Sequence, residues 1–192
     1  MEIRQLAIII FLFSFCIAGI SQGMTIHAGT SSMKTNLPSL TAENTSHTGY
    51  LIGADGRLGD DDFYFMVGLQ YHKLDFNSTS DYSFKVADPN FGIIKGKGGC
   101  AFKIFKINKQ IVTRLRFMGA IDYLLTHPSS DSSENPSDLV FNEAVAGLVG
   151  GLEVDIYFLT LNLEYQKGFF NSVEETENSS MDFITASLGV NF

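Results

Sequence analysis

The sequence predicts an eight-stranded antiparallel up-and-down transmembrane β-barrel, preceded by a cleaved signal peptide, and three observations carry that reading. Beyond residue 23 the apolar runs alternate with period two, as in strands with one apolar and one polar face. Long polar loops and short turns alternate between those runs, which places every long loop at one end. The chain closes on an aromatic residue: Ile184, Ala186, Leu188, Val190 and Phe192 share one face, against Thr185, Ser187, Gly189 and Asn191.

Composition agrees with such a chain. Hydrophobic residues make up 45% of the 192, and charged residues 18%, below the roughly one quarter usual in soluble domains. The 13 basic and 21 acidic residues give a net charge of −8. Removing residues 1–23 takes away Arg4 and Glu2, leaves 12 against 20, and keeps the balance at −8. No basic footprint remains to neutralise phosphates, which argues against nucleic acid as a partner. The two cysteines are Cys16 and Cys100, and Cys16 lies in the segment expected to be removed.

Residues 1–23 read as an address. A short start with one arginine leads into the apolar run 6–20, which is shorter than the ~20 residues of a spanning helix. Ser21-Gln-Gly23 offers small residues for a cut before Met24, with a cut after Ser21 as the rival.

The strands follow in order. Residues 24–34 come first, then a polar loop with Pro38, then 47–58, where Tyr50, Ile52, Ala54 and Leu58 oppose Asp55 and Arg57. A tight Gly-Asp turn over 59–62 leads to 63–74. There Phe63, Phe65, Val67, Leu69 and Tyr71 oppose Tyr64, Met66, Gly68, Gln70 and His72. After a long polar segment over 75–95, residues 96–107 set Cys100, Phe102 and Ile104 opposite Lys97, Ala101 and Lys103. A turn at 108–109 gives way to 110–125, with Leu115, Phe117, Ile121, Tyr123 and Leu125 against Arg114, Arg116, Met118 and Asp122. The Ser/Pro-rich loop 126–138 precedes 139–154, where Glu143 and Glu153 lie opposite the apolar face. A turn near Asp155 leads to 157–169, the cleanest alternation, with Glu164 on its polar side. An acidic loop over 171–180 precedes the last strand, 181–192, which should pair with 24–34 and remove the final sheet edge.

A membrane adds aromatic belts to this pattern. Tyr50, Tyr71, Tyr123 and Tyr165 sit at the loop end of their apolar faces, while Phe63, Tyr157 and Phe192 sit at the turn end. The non-lipid faces carry Asp55, Asp122, Glu143, Glu153 and Glu164 against Arg57, Lys97, Lys103, Arg114 and Arg116. Five of each sign predict a paired charge network in a lumen that eight strands leave just wide enough for side chains. The competing reading is an ion pathway or small-ligand cavity. A soluble lipocalin-like carrier would show the same alternation with its polarity reversed. Low charge, tyrosine belts and the terminal aromatic favour the membrane form.

Glycine and aromatic spacing in Gly49-Tyr-Leu-Ile-Gly-Ala54, Asp62-Phe-Tyr-Phe-Met-Val-Gly-Leu-Gln-Tyr71 and Gly147-Leu-Val-Gly-Gly-Leu152 resembles that of the PorT-like outer-membrane barrels of the Bacteroidetes. Leu161-Asn-Leu-Glu-Tyr165 and the ending Ser187-Leu-Gly-Val-Asn-Phe192 extend the likeness over essentially all of 24–192. The resemblance implies a bacterial outer-membrane location, contact with outer-membrane lipid, and insertion by the barrel-assembly machinery. That machinery would read Ile184, Leu188, Val190 and Phe192 as the assembly signal.

Chemistry is sparse. His27, His47, His72 and His127 have no metal-ligand spacing, and no catalytic, cofactor or metal site is expected. The expected function is non-enzymatic: envelope structure, adhesion through four external loops, or support of an envelope complex with an extracellular or envelope protein partner. The enzymatic alternative is a lipid-modifying barrel, which would draw on His127, Ser129, Ser130 and Asp131 within one loop.

Overall fold

The computed structural model describes residues 23–35, 46–75, 90–108, 110–126, 142–169 and 180–192. The expected leader cleavage and the loop residues His127, Ser129, Ser130 and Asp131 lie outside them. Eight strands form one closed antiparallel barrel. They are β1 (Gly23–Thr35), β2 (Ser46–Gly59), β3 (Phe63–Asp75), β4 (Asn90–Asn108), β5 (Ile111–Thr126), β6 (Ala144–Ile156), β7 (Leu159–Gly168) and β8 (Met181–Asn191). Each strand pairs with its sequence neighbours, and β1 closes on β8 through reciprocal bonds between Met24 and Phe192 at 3.2 and 2.8 Å.

Registered partners define the geometry. From Gly23 the row passes through Arg57, Met66, Gly99, Met118, Val149, Gln166 and Phe183 and returns to Met33, ten residues further along β1. With eight strands, that stagger sets a tilt of about 41° and a radius of about 8 Å for ordinary strand spacing.

Alternation along each strand sorts polarity inside out. On β5, Leu115, Phe117, Ile121 and Tyr123 are exposed on the outer wall, while Arg114, Arg116, Met118, Ala120 and Asp122 are buried within. On β7, Leu161, Leu163 and Tyr165 face out, and Thr160, Asn162, Glu164 and Gln166 face in. An apolar exterior around a polar interior suits hydrocarbon, where a closed barrel satisfies every strand's backbone groups.

Most strand limits fall within one residue of the predicted ones, and those of β4, β6 and β7 depart further. β1 starts at Gly23, the last residue of the expected leader, which registers with Arg57. β4 starts at Asn90, within the segment read as loop, because the run around Ile93, Ile94 and Lys95 extends the ladder against Tyr71 and His72. β6 starts at Ala144 and continues through Asp155, so the turn falls on Tyr157 and Phe158. Tyr157 therefore leaves the predicted strand and takes a left-handed φ of 57° in a two-residue connection. Gly59 makes the β2–β3 turn at φ 137°, where a Cβ would also meet the Phe63 carbonyl at 2.7 Å.

Candidate functional site

The lumen holds the polar groups that the sequence singled out, arranged in three levels. At the turn end, the Arg57 guanidinium donates to Asp155 at 3.1 Å and lies 3.3 Å from Glu153. Arg114 donates to Glu153 at 3.3 Å and also pairs with Asp155. Both guanidiniums stack over the Tyr64 ring, at 5.3 and 5.4 Å from its centroid, and the Tyr64 hydroxyl donates to Glu153 at 2.6 Å. Asn191 from β8 donates to Thr160 at 2.6 Å and accepts from Thr25 at 2.6 Å, tying this level across the β1–β8 seam.

Arg116 is the hub of the middle level, with no solvent exposure of its side chain. It donates to Asp55 at 2.9 Å and to the Asn162 side-chain oxygen at 2.7 Å, and it lies 3.0 Å from Glu164. Lys97 spans the same two acids, at 3.3 Å from Asp55 and 2.9 Å from Glu164. Gly68, between Asp55 and Lys97 in register, makes room for this pairing. A Cβ there would sit 2.1 Å from the Asp55 carboxylate and 2.8 Å from the Lys97 stem. Buried ions demand such saturation, since each unpaired charge carries several kcal/mol of lost hydration.

Toward the loops the ions thin out. Lys95 lies 3.6 Å from Asp122 and 4.1 Å from the Phe183 ring centroid, while Gln166 donates to Asp122. His72 bridges Ser31 and Gln70, at 3.0 Å each. Above them Met33, Leu74, Ile93, Leu124, Val145, Met181 and Phe183 form a continuous apolar cluster across the lumen. The space left among Lys95, Val149, Glu164, Gln166, Phe183 and Thr185 is too small for a water molecule.

Two predicted members of the network stand elsewhere. Lys103 keeps the inward parity, in register with Arg114, but it stands at the turn rim and pairs there with exposed Asp62. Glu143 is exposed above the loop-end rim, one residue before β6 begins, and accepts from the Tyr123 hydroxyl at 3.3 Å. Lys95 and Asp155 take their places inside. The balance stays at five and five among the described charged residues: Asp55, Asp122, Glu153, Asp155 and Glu164 against Arg57, Lys95, Lys97, Arg114 and Arg116. Lys95 escaped the sequence reading because its strand onset was hidden beside Pro89, and Asp155 because it was assigned to a turn. Tyr64, Asn162 and Gln166 were on the right face by parity, but carry no formal charge to single them out.

On the outside, Tyr50, Tyr123 and Tyr165 are exposed and Tyr71 is half-buried, all pointing outward near the loop end. The Tyr165 hydroxyl donates to Asp182 at 3.2 Å, and Lys167 donates to the same carboxylate at 2.7 Å. At the turn end Phe63 packs against Phe65 and Phe102 with centroids 4.9 Å apart, and Tyr157 and Phe192 are open to the surroundings. Ile184, Leu188 and Val190 line the outer face of β8 leading to Phe192.

No protein-family model and no curated protein matches the chain by sequence. Solved structures match by shape. The barrel superposes on the outer membrane enzyme PagL with a TM-score of 0.55 at 5% identity, covering 88% of this chain and 98% of that one. On Ail, the attachment invasion locus protein of Yersinia pestis, the TM-score is 0.50 at 11% identity, again over 88% and 98%. These likenesses are of fold. Joined to the closed ring, the outward apolar wall and the charged interior, they describe an outer-membrane barrel.

Proposed function

We propose that this chain is a non-enzymatic outer-membrane scaffold that acts through the four segments joining its strands at the loop end. The observation that carries the reading is the filled lumen. Its ionic side chains are spent on one another, and a layer of seven apolar residues covers them on the loop side. A barrel so packed offers its interior neither to a solute nor to a substrate, which leaves the loop segments and the outer wall as its working surfaces.

Kinship with the PorT-like barrels belongs to the same proposal, supported by the glycine and aromatic spacing that falls on β2, β3, β6, β7 and β8. The proposed partner is an extracellular or envelope protein, with insertion by the barrel-assembly machinery through the β8 apolar face and Phe192. Envelope structure, adhesion and support of an envelope complex all use this arrangement.

The test exchanges residues 127–138 for a Gly/Ser tract of equal length. Surface binding or envelope integrity in cells should fall, while the barrel keeps its boiling-dependent gel shift. Unchanged binding and integrity after each of the four segments is exchanged in turn would overturn the scaffold reading.

A further inference from the structure

The outer wall of β1–β4 is uneven. A depression of about 430 Å³ runs across it, bounded by Ile26, Ile52, Ala54, Leu69, Tyr71 and Ile94. That is the volume range of small-molecule sites, which run from about 300 to 1,000 Å³. Its cause is in the sequence. Ala54 and Gly56 on the outer face of β2 carry little or no side chain, and Ala54 registers between Ile26 of β1 and Leu69 of β3, so the surface dips between those two strands. Leu69 and Tyr71, on the β3 side of the depression, are half-buried, where the outward Phe117 and Ile121 of β5 are 52% and 60% exposed.

From β1 to β4 the depression spans three interstrand spacings, about 14 Å. The stagger of the barrel makes it climb, from Met24 near the turn end to Ile94 near the loop end. Lys73 stands at the upper end, the next outward residue of β3 after Tyr71, in register with Tyr50 and Gly92. It makes no ion pair with another described residue, whereas the rim lysine of the opposite wall, Lys167, is held by Asp182. Asp75, the next outward residue beyond Lys73, lies on the solvent side.

An apolar trough with a cation at its interfacial end matches an anionic amphiphile. We propose that this wall holds one phosphate-headed lipid, with an acyl chain in the trough between β1 and β4 and the phosphate at Lys73. Hydrocarbon recovers the dispersion contacts that the missing side chains forfeit, and the lysine stem runs along the apolar wall with its ammonium at the headgroup level. The inference rests on the membrane-barrel reading.

The test uses the full barrel refolded in a zwitterionic detergent and native mass spectrometry, with phosphatidic acid and chain-matched diacylglycerol as probes. Every protein is first checked for its boiling-dependent gel shift, whose absence in the wild type would overturn the barrel reading itself. One phosphatidic acid should be retained per barrel, with diacylglycerol retained far less. Ala54→Phe, which fills the trough, should abolish retention, and the milder Ala54→Met should reduce it. Lys73→Gln should weaken it about fivefold, the loss expected of one basic contact at a membrane surface. Ala186→Phe on the outer face of β8 should leave it unchanged. A folded wild-type barrel that retains no lipid, equal retention of the two probes, or equal retention by Ala54→Phe would overturn the lipid site and leave the barrel reading standing.

Discussion

The two ends of the lumen are closed by different means. At the loop end Met33, Leu74, Ile93, Leu124, Val145, Met181 and Phe183 meet as an apolar layer, while the middle and turn end are closed by carboxylates and cations in mutual contact. An apolar layer tolerates small errors of position, because its attraction is non-directional. An ionic layer does not, because each charge is costly until its partner arrives at the right distance. The turn end therefore fixes the barrel's register, and the loop end excludes solvent.

Removing the hub should produce the largest effect. Arg116→Ala leaves Asp55 and Glu164 with Lys97 alone between them, at a cost of about 3–5 kcal/mol. Urea unfolding in detergent should show a strongly lowered midpoint, and a loss below 1 kcal/mol would mean that water enters and solvates the acids. Next comes the apolar layer. Leu74→Ala should cost about 2–4 kcal/mol through a cavity that nearby side chains fill only in part. Hydrogen exchange should rise first at the loop ends of β3 and β4, and uniform exchange would break the distinction between the two layers. Gly68→Ala should have the smallest effect, about 1–3 kcal/mol, as its Cβ displaces Asp55 from Lys97. Adding Asp55→Asn should not deepen the loss if the displaced ion pair is its source. A double variant equal to the sum of its single changes would place the strain elsewhere.

Most of the architecture was legible from the alternation, because period two assigns each residue a face once a strand is located. The eight strands, their order and the inward set Asp55, Arg57, Lys97, Arg114, Arg116, Asp122, Glu153 and Glu164 follow from parity alone. Parity does not say where a strand ends. Lys103 faces inward but stands at the turn rim, where it reaches Asp62, and the true ends of β4 and β6 exchange Glu143 for Asp155 and bring in Lys95. Distances across the barrel were out of reach. Which acid faces Arg116 depends on a stagger of ten residues, and no single strand encodes it. The wall depression was hidden for a related reason, since it arises where Ala54 and Gly56 of β2 stand between larger residues of β1 and β3.

The partners in the ionic lumen are far apart along the chain. Asp55 and Arg116 are separated by 61 positions, Lys97 and Glu164 by 67, Arg57 and Asp155 by 98, and Thr25 and Asn191 by 166. Hairpins between neighbouring strands can form one by one, but these contacts exist only when distant walls face each other or, for Thr25 and Asn191, when the seam has closed. Until then the charged side chains remain hydrated, and the edges of β1 and β8 keep their backbone groups unpaired. Seam closure and the expulsion of water from the lumen are thereby coupled into one cooperative step. An open sheet with seven finished hairpins should behave as a high-energy intermediate, and the closure step should set the rate of folding.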